Sequence, residues 1–291
     1  MRVFVALVCG ILAAGTIRAA EPEGEIAVMS FNIRYNNPND GPNAWPHRAD
    51  WVAEIIESNA DLVGMQEVEH NQLVDLKRLL PGFAFYGVGR EDGEKAGEYV
   101  PIAWRKARFT PVEKGSFWLS ETPETPSKSW DSSLKRVTTW VRLEEGGSGE
   151  TLLMVNTHFD HRGEVARRKS AELIRNWIAA HRKGGPVLLT GDFNTLPDSR
   201  PYRILTQGEG VAGLADARLA VETPEGPEST WNGFEAIVPG RRIDFIFAAG
   251  PIAVKSFRTI DERREGRFPS DHLPIVARVL TGEVGRVKSE G

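Results

Sequence analysis

The sequence has a single cysteine in 291 residues, and that one, Cys9, lies within the first twenty. An internal disulfide is therefore excluded, and so is a metal centre built on several thiolates. Strong net charge is also missing: 36 Lys and Arg against 40 Asp and Glu leave a formal charge of −4. This is not the basic balance of a protein that grips nucleic acid through its phosphates. The body contains no internal repeat, low-complexity tract or Pro/Ser linker. No apolar run reaches the roughly 20 residues that a membrane-spanning helix needs. The fold must rest on an ordinary hydrophobic core, for which 41% apolar residues suffice.

The first twenty residues differ from the rest. Arg2, an apolar run from Val3 to Ala14, and then Gly15, Thr16 and Ala19-Ala20 read as a secretory signal peptide over residues 1–20. Ile17 and Arg18 make the cleavage site irregular, and a retained N-terminal anchor helix is the alternative reading. Cleavage would remove the cysteine and take the formal charge from −4 to −6 through loss of Arg2 and Arg18. The expectation is a secreted or periplasmic monomer with no stable membrane insertion after cleavage. Its domain covers residues 21–280, and a polar tail covers 281–291.

Apolar spacing predicts strands at residues 25–33, 62–65, 99–105, 115–119, 137–143, 151–157, 186–190, 243–247, 253–260 and 273–279. It predicts helices at 48–58, 71–80 and 164–182. Many strands with a few long helices suggest sheets packed face to face with helices outside. The polar motifs fall at the C-terminal ends of the apolar runs, where α/β folds gather ligand-binding groups.

The hydrolysis of a phosphate ester requires three things. Phosphate charge must be neutralised, a water aimed and deprotonated, and the leaving oxygen stabilised. Hard oxygen ligands suit Mg²⁺ or Mn²⁺, and Glu67 with the amide oxygen of Asn32 meets that description. Asp192 and Asn194, two apart on an extended segment, share a side. His158 and His272 stand beside carboxylates and can bind phosphate oxygen or shuttle protons. Asp244 interrupts an apolar strand, and a buried carboxylate needs a partner, for which His272 is a candidate. Taken singly, Asp192-Phe193-Asn194 also fits an ordinary Asx turn, and Glu67 a surface carboxylate.

Taken together, FNIR (31–34), QE (66–67), NTHFD (156–160), GDFN (191–194), RIDFIF (242–247) and SDH (270–272) resemble the endonuclease/exonuclease/phosphatase superfamily. This group includes deoxyribonuclease I-like nucleases, poly(A) deadenylases, inositol polyphosphate 5-phosphatases and neutral sphingomyelinases. The resemblance implies an α/β fold, a four-layer αββα sandwich of two packed mixed sheets with outer helices. It implies a metal site at Asn32 and Glu67, with Asp271 as a metal or histidine partner. It gives Asp192 the attacking water, Asn194 a phosphate contact, and His158 and His272 the flanks of the scissile phosphate. Asp244 would orient one histidine. The segment from Glu98 to Arg105 resembles a deoxyribonuclease I-like strand whose first Glu pairs with the active-site His, which makes Glu98 a candidate partner of His158. Arg34 and Arg136 are weaker candidate phosphate contacts. The general acid and base stay open.

The acidic body favours a small phosphorylated substrate, with nucleic acid as the alternative. The clusters Arg167-Arg168-Lys169 and Arg263-Arg264 read as solvated faces. The FNIRY…AWPHR opening resembles secreted small-molecule phosphatases. The segments 36–47 and 230–234, with Trp45 and Trp231, are candidate pocket walls. A catalytically inactive binding domain on the same scaffold is a further alternative.

Overall fold

The computed structural model describes residues 24–146, 149–207 and 213–282. The expected signal peptide, and all but the first two residues of the expected tail, lie outside them. The strands β1 (Ile26–Asn32), β2 (Leu62–Gln66), β3 (Phe83–Tyr86), β4 (Ile102–Arg105), β11 (Ile252–Thr259) and β12 (Ile275–Thr281) form one sheet in the order β11-β12-β1-β2-β4-β3. A second sheet, β5-β6-β7-β8-β10-β9, contains β5 (Phe109–Trp118), β6 (Val137–Glu145), β7 (Thr151–His158), β8 (Val187–Asp192), β9 (Ala215–Asp216) and β10 (Asp244–Ala249).

Helices α1 (Ala49–Asn59) and α2 (His70–Leu79) bury Trp51, Val52, Ile56, Leu73 and Leu76 in one core with Met29, Phe31, Val63 and Met65 of the first sheet. Helices α3 (Glu164–His181) and α4 (Arg200–Thr206) bury Ile174, Ile178, Tyr202 and Leu205 with Leu153, Val155, Leu189 and Phe247 of the second. A third core, with Val28, Leu62, Met154, Leu188 and Ile246, fills the space between the sheets. The architecture is thus the four-layer αββα sandwich.

Strand periodicity explains where the polar groups go. Successive side chains alternate between faces. In β1, Val28 faces the inter-sheet core while Met29 and Phe31 face the helices, so Ser30 and Asn32 also point between the sheets. By the same alternation Gln66 of β2, Asn156 and His158 of β7, Thr190 and Asp192 of β8, and Asp244 of β10 turn inward. The inner layer is apolar at one end and polar at the other. β1 and β2 are parallel, as are β7 and β8, so their C-terminal ends share the polar rim.

Below the rim lies a polar floor that ties the sheets together. Asn156 Oδ1 accepts from Gln66 Nε2 at 2.7 Å and from Thr190 Oγ1 at 3.0 Å. Its Nδ2 donates to the carbonyls of Met65 at 2.7 Å and Pro101 at 3.1 Å. The approach requires glycine at position 64, where a Cβ would sit 2.1 Å from Thr190 Oγ1.

Several expected boundaries differ. β4 begins at Ile102, because Tyr99 pairs with Val68 in an isolated bridge and Pro101 precedes the strand. β5 begins at Phe109, because residues 110–114, which are exposed and span a register shift between Pro111 and Glu113, carry no buried apolar pattern. Trp45 does not line a pocket: it is 2% exposed and donates Nε1 to Asp75 of α2 at 2.9 Å.

Candidate active site

The rim is assembled by strand register. His158 is the direct partner of Asp192 across the parallel pair β7–β8, and Asp192 is the partner of Asp244 across the antiparallel pair β8–β10. In the other sheet Asn32 is the partner of Gln66, and Glu67 follows immediately. Arg34, Glu67 and Asn194, just beyond their strands, have φ of 59°, 61° and 46°. Side-chain-bearing residues rarely adopt this left-handed region, and such strain collects at functional sites.

Asp192 is the meeting point. Its Oδ2 accepts from Asn32 Nδ2 at 3.0 Å and stands 3.4 Å from His158 Nε2 and 3.8 Å from His272 Nε2. Its Oδ1 accepts from the Asn194 backbone N–H at 2.9 Å. The same Asn32 amide nitrogen donates to Glu67 Oε1 at 3.0 Å, and Glu67 Oε2 accepts from Tyr35 N–H at 3.2 Å. The Asn32 amide oxygen accepts from Arg34 N–H at 3.0 Å, so nitrogen, not oxygen, faces the two carboxylates.

The two histidines are electrically unlike. Burial, then the positive charges of Arg136 and Arg90, hold His158 well below its ordinary value, so it is neutral at pH 7. Its Nε2 is the unprotonated nitrogen, because Asn194 Nδ2 faces it at 3.1 Å while also donating to the Phe159 carbonyl at 3.1 Å. Burial also opposes the charging of His272, but Asp244 and Asp192 overcome it and hold the ring well above its ordinary value. His272 Nδ1 lies 2.9 Å from Asp244 Oδ2. Burial, then the charge of Asp244, pushes the Asp192 carboxyl up to about 7.

The remaining expected residues sit around this centre. Asp271 Oδ1 lies 3.2 Å from Ser270 Oγ and Oδ2 lies 3.6 Å from Arg34, and burial raises its carboxyl. Arg34 is clamped by both oxygens of Asp40, at 3.0 and 3.2 Å. Glu98 does not partner His158: its carboxylate pairs with Arg90 at 2.8 Å, the chain having folded back through Gly97 with φ 77°. Arg136 is buried against His161 at 3.1 Å and Asp160 at 3.6 Å.

The donor set could hold a divalent cation. Glu67, His158 and Asp192 each offer a ligand atom within 4.8 Å of the others. Asp192, Asp244 and His272 lie equally close, but the charged His272 has no lone pair to give. Asp244 Oδ1 is buried with no hydrogen-bond partner among the described residues. A cation would relieve the carboxylate repulsion that raises Asp192.

The sequence profile of the Endonuclease/Exonuclease/phosphatase family matches residues 29–272. The chain belongs to the endonuclease/exonuclease/phosphatase family. Members of this family are hydrolases of phosphoesters. The chain is 38% identical to an endonuclease/exonuclease/phosphatase from Bacteroides vulgatus, with a TM-score of 0.85 over 89% of this chain and 99% of that one. It is 34% identical to a mannosyl-6-phosphatase of Bacteroides thetaiotaomicron, with a TM-score of 0.82 over 88% of this chain and 99% of that one. It is also 26% identical over 197 residues to a protein of Schizosaccharomyces pombe named as a probable RNA exonuclease, covering 62% of this chain and 39% of that one. The chain spans 41%, 39% and 59% of the lengths of three such curated relatives.

Sequence reading missed the fastening role of two residues that lie in its own motifs, Arg48 and Ser270. Arg48 is 3% exposed, and its guanidinium donates to the carbonyls of Ile33, Arg34, Asn43 and Pro269. It thereby fastens the loop after β1 to the segment leading to Asp271. Ser270 Oγ adds a 2.7 Å bond to the Asn32 carbonyl. Arg48 closes the AWPHR stretch of the opening motif and stands at the start of a helix rich in apolar residues, but neither gives a hint of its burial.

Proposed function

We propose that the chain is a Mg²⁺- or Mn²⁺-dependent phosphatase that hydrolyses a small organic phosphate, with sugar phosphates the favoured class. The observation that carries this reading is the convergence of Asn32, His158 and His272 on one oxygen of Asp192. The substrate class is supported by the likeness to the mannosyl-6-phosphatase and by the formal charge of −4.

Glu67 and Asp192 would hold the metal ion, which when bound supplies positive charge against the phosphate oxygens. The Asp192 carboxylate, ionised when it helps to hold a cation, can take a proton from the attacking water. Asn32 and the Asn194 N–H fix its two oxygens. His272 carries a proton on Nε2 toward Asp192, where it can donate to a phosphoryl oxygen as negative charge builds. Asp244 holds that ring in place and charged. His158, neutral, offers a lone pair from the opposite side, with Asn194 setting its orientation.

Nuclease action is the second reading, favoured by the RNA exonuclease named above. The test is an assay with Mg²⁺ or Mn²⁺ against mannose 6-phosphate, glycerol 3-phosphate, an inositol phosphate, a phospholipid, RNA and duplex DNA. Phosphate release from the small monoesters, abolished by EDTA, is the expected result. Cleavage of RNA or DNA alone would overturn the ranking. We also propose export, supported by the order of charge, apolar run and small residues over 1–20. Mass determination of the mature N-terminus tests it.

A further inference from the structure

We propose that Trp231 and Arg241 form a subsite for the leaving group, shaped for the hydroxyl-bearing ring of a sugar phosphate. This rests on the phosphatase reading above and names what lies beyond the phosphate.

The placement follows from strand pairing. Trp231 and His272 oppose each other in an isolated antiparallel bridge. Asn232 N–H donates to the Asp271 carbonyl at 2.8 Å, and Leu273 N–H to the Thr230 carbonyl at 2.6 Å. Bonds on both flanks make Trp231–His272 a non-hydrogen-bonded pair, with Cα atoms about 4.5 Å apart and side chains on the same face. The pairing starts the indole from the backbone position opposite the imidazole whose Nε2 lies 3.8 Å from Asp192.

The segment is rigidly built. Gly233 N–H donates to the Asp271 carbonyl at 3.1 Å, and Asn232 Nδ2 to the Ser270 carbonyl at 3.1 Å. The backbone N–H groups of Thr230 and Trp231 both donate to the Arg241 carbonyl, at 3.0 and 3.2 Å. Gly233 passes so close that a Cβ there would meet the six-membered ring at 3.2 Å.

Arg241 supplies the polar half. It is exposed, and its guanidinium lies over the Trp231 ring, 5.5 Å from the centroid. Among the described residues no carboxylate pairs with it, whereas Arg34, Arg90 and Arg264 pair with Asp40, Glu98 and Glu54. A guanidinium stacked over one face of an indole, with free N–H donors for vicinal hydroxyls and the uncovered part of the indole for the C–H groups of a ring, is chemistry that recognises a sugar. A phospholipid would require an apolar surface in place of the exposed guanidinium.

The test compares mannose 6-phosphate with glycerol 3-phosphate, both esters of a primary alcohol, using W231A and R241A. The ratio of kcat/KM for the hexose ester over the glycerol ester is expected to fall about tenfold in each variant, through KM. R241A carries the test if W231A does not fold, because Arg241 is exposed. A ratio equal to that of the wild type overturns the subsite, whether or not both activities fall together. If the wild-type protein hydrolyses neither monoester, the phosphatase reading fails and the subsite with it.

Discussion

Asp244, the first residue of β10, holds the Nδ1–H of His272 across 2.9 Å, although the two lie 28 residues apart. Both are buried, at 2% and 5% exposure. The carboxylate fixes the ring and keeps it charged. Asp244→Asn should therefore lower kcat/KM by about 10²-fold or more, and should move the alkaline limb of the pH profile to lower pH. It should also cost about 3 kcal/mol of stability where His272 is charged, since a buried imidazolium loses its partner. An unchanged pH profile would contradict this role.

The raised groups set a pH dependence of stability. His272 is held above its ordinary 6.5, so its contribution is fully present below that value and is lost as pH rises through the folded value. Asp192, raised from 3.8 to about 7, has the same sign: its contribution is present below 3.8 and lost as pH rises through about 7. His158, lowered by burial, works in the other direction and favours the fold above 6.5. A cation at Glu67 and Asp192 binds the ionised carboxylate. Mg²⁺ should therefore raise Tm more at pH 8 than at pH 5, read against EDTA by thermal unfolding. An equal gain at both pH values would count against a metal at Asp192.

Gly64→Ala tests the polar floor. The added Cβ would lie 2.1 Å from Thr190 Oγ1 and 2.5 Å from Asn156 Oδ1. Forcing these apart should cost about 1–3 kcal/mol or more and break bonds that join the sheets. Denaturant unfolding measures it, and a variant as stable as the wild type would show that the floor yields freely.

Arg48→Lys should not substitute for the native residue. A single ammonium cannot reach the four carbonyls that one planar guanidinium serves. The expected loss is about 3 kcal/mol, with kcat falling because the segments bearing Arg34 and Asp271 are both fastened here. Retention of full activity and Tm would contradict the fastening role.

Much of this was legible in the sequence, because strand periodicity and motif position report on the same thing. The apolar runs ending in Asn32, Gln66, His158 and Asp192 are the strands β1, β2, β7 and β8. Their parallel pairing puts those ends on one rim. The short β3 and α4 were not legible from periodicity. Ser199 and Pro201 do mark the start of α4 as N-cap and first-turn proline. Pairings set by loop return were also hidden: Glu98 meets Arg90 through a local turn, and Trp45 enters the core to meet Asp75. A loop aromatic gives no sign in sequence of which way it turns.

The most direct measurement is inorganic phosphate release from mannose 6-phosphate by metal-free protein titrated with Mg²⁺, in the wild type and in Asp192→Asn. The expected result is turnover that requires the metal in the wild type and falls by about 10²-fold or more in the variant. Turnover independent of metal, or a variant with near-normal kcat, would contradict the placing of hydrolysis at Asp192.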